Sequence, residues 1–311
     1  MFVYLTRKLI GIVPIIFGVA LVIFVLFNMV GGDPTYQMVG KHANAQQIAE
    51  LRHEYGFDLP KPVQFAQYLK QIVTFDYGRS YATKQQISEM IWNGVGPSLT
   101  LAIPAFLLTT LIAITMGLLV AYFRGKWIDK VVVVLCVFGM SLPMLAYILF
   151  GQYFLAYKMG WFPISGFEMG WPDRFQYVMM PIIIWVVVSL GYDVRFFRTA
   201  LLEETTQDYV RTARAKGLSE PRVFFKHVLK NSMVPIVTNI VIEIPLLILG
   251  SFLLESFFGI PGLGSITIDA IHNSDFPVIK AMTTLQSLLF IFGNLATDVI
   301  YTLVDPRVKM T

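Results

Sequence analysis

Charge is what this sequence has least of. Asp, Glu, Lys and Arg make up 14% of its 311 residues and hydrophobic residues 56%, whereas a soluble globular chain carries about a quarter charged residues. A water-soluble fold cannot hide that much apolar surface. Cysteine is scarcer still: Cys136 stands by itself, so no intramolecular disulfide can form and the redox compartment leaves no mark. The phosphate-cradling pattern G-x-x-x-x-G-K-[ST] is missing, because Gly40-Lys41-His42 and Gly125-Lys126-Trp127 lack the hydroxyl residue. The four histidines, His42, His53, His227 and His272, show no metal-ligand spacing, and no G-x-S-x-G elbow is present. Enzyme readings therefore find no positive support. The formal charge of +4 is what basic loops at a membrane surface produce, and it gives no reason to expect a nucleic-acid partner.

What is present is a set of long apolar runs. A bilayer core needs about 20 predominantly apolar residues per helix, and six stretches qualify: Leu9 to Val30, Ser98 to Phe123, Val131 to Tyr157, Tyr177 to Phe197, Met233 to Phe258 and Ala281 to Val304. None alternates with the period of a membrane strand. The expected fold class is an all-α membrane protein of about six transmembrane helices. The first run follows Arg7 and Lys8 but exceeds a signal h-region, and Asn28 to Pro34 offers no small-residue cleavage site, so a retained helix over residues 1–30 is expected.

Fifteen of the 24 lysines and arginines fall in the loops on the side of the termini. By the positive-inside rule both termini are expected in the cytoplasm. The polar segment 31–96 then lies outside as a small subdomain, with Asn44 capping a helix that carries Ile48 and Leu51 and stops at Gly56. Tyr157, Trp161, Phe162, Trp171 and Tyr177 crowd the outer boundary, as rings at headgroup level do. Residues 97–305 form the core, and 306–311 a cytoplasmic tail.

The cytoplasmic loop at about 198–232 is the most informative stretch. Good helix formers run from Asp208 to Lys216, Gly217 can end that helix in the left-handed conformation, and Ser219 with Pro221 can open the next. Two short helices joined by a tight turn are expected. Ala213, Ala215 and Gly217 leave its backbone accessible to a partner, while Phe224, Val228 and Leu229 give the second helix a buried side along the membrane surface.

Tyr209-Val210-Arg211-Thr212-Ala213-Arg214-Ala215-Lys216-Gly217-Leu218, followed by His227-Val228-Leu229-Lys230-Asn231 and Pro235, resembles the EAA loop of ATP-binding cassette importer permeases of the dipeptide/oligopeptide branch. Arg211, Thr212 and Ala213 stand where the motif reads Glu-Ala-Ala. Further matches follow in order along nearly the whole chain: Gly32-Asp33-Pro34, Asp76-Tyr77-Gly78-Arg79-Ser80, Pro261-Gly262-Leu263-Gly264 and Asp305-Pro306-Arg307. The resemblance implies a non-catalytic permease half with a type I importer fold in a bacterial inner membrane, surrounded by lipid. Its partners would be a second homologous permease, two cytoplasmic ATP-binding subunits and an external solute-binding protein. This chain would bind no cofactor, and ATP would be used by the partner subunits.

The resemblance also assigns roles. Tyr209, Arg211, Thr212, Ala213, Arg214, Ala215, Lys216 and Gly217 would couple to an ATPase. Pro261 and Gly262 suit the centre of a type II turn, and with Gly264 and Asp269 would face the binding protein. Glu243 falls near the bilayer midplane, where a charge is expensive and marks a wet cavity or a bundle interior. With Asn239 and Asp298 it is expected to line the translocation pathway and to meet the ammonium end of a peptide. Relatives in the same family import nickel complexes, murein peptides or other small solutes. An ion-gradient transporter is the remaining alternative, but the internal repeats such proteins often show are not seen here.

Overall fold

The computed structural model describes residues 2–30, 35, 44–54, 56–248 and 250–304. Apart from one antiparallel bridge between Arg79 and Gln86, the described residues are helical, turn or irregular. Gly32-Asp33-Pro34 and Asp305-Pro306-Arg307 lie outside them.

The first helix, α1 (Phe2–Val25), runs on as a π turn over Leu26–Val30. Two short polar helices follow, α2 (Ala45–Glu54) and α3 (Lys61–Thr74). Asn44 sits ahead of α2 as the sequence suggests, with its side-chain oxygen 3.5 Å from the Gln46 amide, and Gly56 beyond the helix has φ +70°. The long rods are α4 (Ile87–Tyr122) and α7 (Arg174–Thr205), which pack along most of their length. Ala105, Ala113 and Gly117 on α4 permit this approach, and a Cβ on Gly117 would stand 3.0 Å from that of Phe197. Small residues draw helices together in lipid because packing, rather than water exclusion, holds them.

Between the rods the third apolar run is bent. Its two halves, α5 (Trp127–Ser141) and α6 (Met144–Phe150, continued as a π segment over Gly151–Lys158), meet at 93°. Pro143 disfavours helical backbone at Leu142, whose ψ is 132°, and the Tyr147 hydroxyl braces the corner by donating to the Gly139 carbonyl at 2.9 Å. At its start α5 is fastened to α7 by a bidentate pair, Arg198 Nε to Asp129 Oδ1 at 2.8 Å and Arg198 Nη2 to Asp129 Oδ2 at 2.9 Å. The fork geometry of a guanidinium on a carboxylate makes this directional.

After α7 come α8 (Asp208–Ala215) and α9 (Glu220–Val223). Here the structure departs from the expected pair of short helices: α9 passes through a π segment, Phe224–Val228, straight into α10 (Leu229–Ile248). The second helix of the loop is thus the first turn of α10. The fifth apolar run is divided as well, because Gly250 takes φ +69° and Ser251 caps a separate helix, α11 (Phe252–Phe258). Helices α12 (Leu263–His272) and α13 (Phe276–Val304) complete the chain. Among the described residues four helices are long and apolar enough to cross a membrane, or five with the bent pair counted as one, against the six runs read from the sequence.

Candidate functional site

Three constellations stand out, and the rods give them their positions. The Tyr122 end of α4 carries a cluster of Ala121, Leu201, Val210, Ala213, Val223 and Phe224, with the Tyr122 and Phe224 rings edge to face at 5.6 Å. The Ile87 end carries a second cluster containing Tyr77, Leu263, Val278 and Ala281.

At the Tyr122 end, α8 closes in a Schellman motif. The Leu218 amide donates to the Ala213 carbonyl at 3.3 Å and the Gly217 amide to the Arg214 carbonyl at 2.9 Å, with Gly217 at φ +78°. The eight residues expected at the turn divide into two faces. Ala213 is buried beside Val210, so it packs against its own chain rather than leaving backbone open. Arg211, Thr212, Arg214, Ala215, Lys216 and Gly217 are exposed, and a Cβ on Gly217 would meet nothing within 4 Å. Arg214 bridges the turn to Glu220, Nε to Oε1, at 2.9 Å. Tyr209 donates to the Glu204 carboxylate, and burial, with the Glu204 bond adding to it, pushes its phenol up to about 12.

Along α10, Asn239 Nδ2 donates to Glu243 Oε1 at 3.1 Å. Glu243 is half-buried and feels the charge of Asp193, a buried residue of α7. Helices α10 and α13 touch two residues further on, where a Cβ on Gly293 would overlap Pro245. The structure therefore brings Glu243 together with Asn239 and places it within electrostatic range of Asp193, which sequence reasoning missed. The side chain of Asp298 lies outside the described ones. Two carboxylates within electrostatic reach inside an apolar bundle favour a cation between them.

The third constellation corrects the expected type II turn. Gly262 has φ −100° and ψ −177°, and the left-handed residue is Gly259 at φ +66°. Pro261 and Asp269 are exposed, but Gly262 and Gly264 are buried. They are buried because the fully enclosed carboxylate of Glu255 occupies the space beside them. Its Oε1 accepts from Ser98 Oγ at 2.9 Å and from the Ser251 amide at 3.1 Å. Its Oε2 accepts from the Gly264 amide at 2.7 Å and the Ser265 amide at 3.2 Å. Ser98 in turn accepts from the Leu263 amide at 2.8 Å. One side chain of α11 thus holds α4 and the start of α12.

Residues 113–310 match the family model described as binding-protein-dependent transport system inner membrane component, and residues 1–102 match the model of that component's N-terminal part. The chain belongs to this family. The permease is 34% identical to a glutathione transport system permease of Salmonella choleraesuis over 98% of each chain. It is 32% identical to a protein of Sinorhizobium fredii named for peptide ABC transport, over 99% of each, and 34% identical to one of Brucella abortus named for peptide transport, over 96% of each. A solved structure of the MetNI methionine ABC transporter in inward-facing conformations superposes with a TM-score of 0.54, covering 70% of this chain and 96% of that one at 18% identity. The permease has the type I ABC importer fold, is a multi-pass protein of the bacterial inner membrane, and is a transport component rather than an enzyme.

Proposed function

We propose that this permease imports dipeptides or oligopeptides delivered by an external binding protein, forms the pathway with a second permease, and receives the motion of two cytoplasmic ATPases at the 213–218 turn. What supports the coupling role is the two-faced construction of that turn. Its inner side is packed into the bundle, and its outer side offers six exposed residues, with none of the described atoms within 4 Å of a Cβ on Gly217. What supports a peptide substrate is the acidic pair on α7 and α10, which suits the ammonium end of a peptide, together with relatives named for peptide and glutathione transport. Pro261 and Asp269, exposed at the opposite end, are the positions offered to the binding protein.

The test uses the reconstituted four-subunit complex with its binding protein. Glu243→Gln is expected to leave assembly and basal ATP hydrolysis intact while lowering uptake of labelled peptide by about tenfold, as for the loss of one charged hydrogen bond. Unlabelled dipeptide, glutathione and a nickel chelate compete in parallel. Full uptake by the variant removes Glu243 from the pathway, competition by nickel chelate only removes the peptide substrate, and uptake in ATP-depleted vesicles on a proton gradient removes the ATP-driven reading.

A further inference from the structure

At the Ile87 end, a cavity of about 310 Å³ lies between the π turn that follows α1, the polar helix α3, the 77–81 loop and the first turn of α13. Its wall holds three cations, Lys61, Arg79 and Lys280, with Gln64, Gln67 and Gln71, and no acidic residue among the described ones. Two of the cations crowd a single asparagine: Lys61 Nζ donates to the Asn28 carbonyl at 3.1 Å and Lys280 Nζ to Asn28 Oδ1 at 3.1 Å. The Lys280 ammonium also lies 3.8 Å from the centre of the Tyr68 ring. None of the three meets a carboxylate among the described residues. The neighbouring Asp275 is already taken up by Ser80 Oγ at 2.5 Å and the amides of Tyr81 and Ala82. Like charges gathered at a partly desolvated site repel unless an anion joins them.

A second feature points the same way. The hydroxyl of Tyr77, a residue 7% exposed, is buried on this wall with no hydrogen-bond partner among the described residues. Burial pushes that phenol up to about 12, so it stays a neutral donor, and a buried donor left unmatched is costly. Beside the cavity, α1 turns Leu21, Val22, Leu26 and Met29 outward. The cavity therefore sits where an apolar helix face gives way to polar side chains, the level of a lipid phosphate.

We propose that this cavity binds the phosphodiester of an anionic phospholipid, with Lys61, Arg79 and Lys280 around the phosphate and the acyl chains along the outward face of α1. The site is separate from the transport reading and stands or falls without it.

The assembled complex, purified in detergent, is titrated with phosphatidylglycerol and with phosphatidylcholine of the same acyl chains, and bound lipid is counted by native mass spectrometry. Phosphatidylglycerol is expected to be retained preferentially, and Lys61→Gln with Arg79→Gln to weaken its retention about tenfold or more, given about 1 kcal/mol per basic residue near such a headgroup. Lys70→Gln with Lys84→Gln removes the same charge from exposed positions off the cavity wall and is expected to change nothing. Equal retention of the two lipids, equal retention by parent and cavity variant, or equal losses in the two variants overturns the proposal. Displacement of phosphatidylglycerol by inorganic phosphate would mark the cavity as a site for a soluble anion and overturn the lipid assignment.

Discussion

At the scale of single residues, the Glu255 cradle shows why a glycine can matter without any unusual torsion. Gly262 has ordinary extended backbone, yet a Cβ there would lie 2.3 Å from Glu255 Oε2 and 2.4 Å from Ser98 Oγ. We expect Gly262→Ala to lower stability by about 1–3 kcal/mol through overpacking and displaced hydrogen bonds. Gly18→Ala serves as the counterpart: it lies in the helical interior of α1, its Cβ would meet nothing within 4 Å, and alanine there is expected to be neutral or to stabilise by up to about 1 kcal/mol. Thermal unfolding of the two variants in detergent measures the difference, and equal midpoints would remove the cradle's structural role. The sequence offered little warning of this arrangement. A Pro-Gly pair suits a type II turn on local grounds, whereas the reason for glycine here is a carboxylate that reaches the same point from another helix.

Among elements, helix chemistry was legible wherever it is local. The start of α2 at Asn44 and the end of α8 at Gly217 follow from capping and from left-handed backbone. Gly217→Val puts a β-branched residue at φ +78°, a strain of about 1–3 kcal/mol. Because the exposed side of Gly217 is empty, the cost is expected to fall on the turn's shape and not on the bundle. The variant should insert normally and lose co-purifying ATPase and transport, measured by subunit stoichiometry after affinity purification; full retention of both would detach the turn from coupling. What periodicity did not disclose is where apolar runs break. Val131 to Tyr157 reads as one span, but Pro143 and the Tyr147 brace turn it by 93°. Met233 to Phe258 reads as another, but Gly250 ends its helix so that Glu255 can turn inward. Asp193 carried a signal, a carboxylate inside the fourth apolar run, but its relation to Glu243 comes from helices distant in the chain and could not be read there.

For the whole molecule, the charge distribution assigns sides and the packing assigns ends. The turn at 213–218 joins the cluster at Tyr122, and Pro261 to Asp269 join the cluster at Ile87. These two ends should therefore face opposite aqueous phases. In a Cys136→Ser background, Lys216→Cys is expected to react with an impermeant thiol reagent only in inverted vesicles, and Asp269→Cys only in right-side-out cells. Reaction of both from one side would refute the layout. The apolar class was legible because it follows from composition summed over many residues. The count and continuity of the spans were not, because they turn on a few prolines and glycines.

One consequence of α4 concerns mechanics. Its 36 residues make a rod about 54 Å long at the usual rise, and it touches the exposed turn's cluster at one tip and, through Ser98, the Glu255 cradle about a third of its length from the other. Pivoting such a rod by about 5° about its middle sweeps each tip through roughly 2 Å, in opposite directions. Gly117, seated against Phe197, is a natural fulcrum, placed nearer the Tyr122 tip. If the helix turns as one body about that contact, a small stroke delivered there emerges as a longer one at the far tip, the behaviour of a lever of unequal arms.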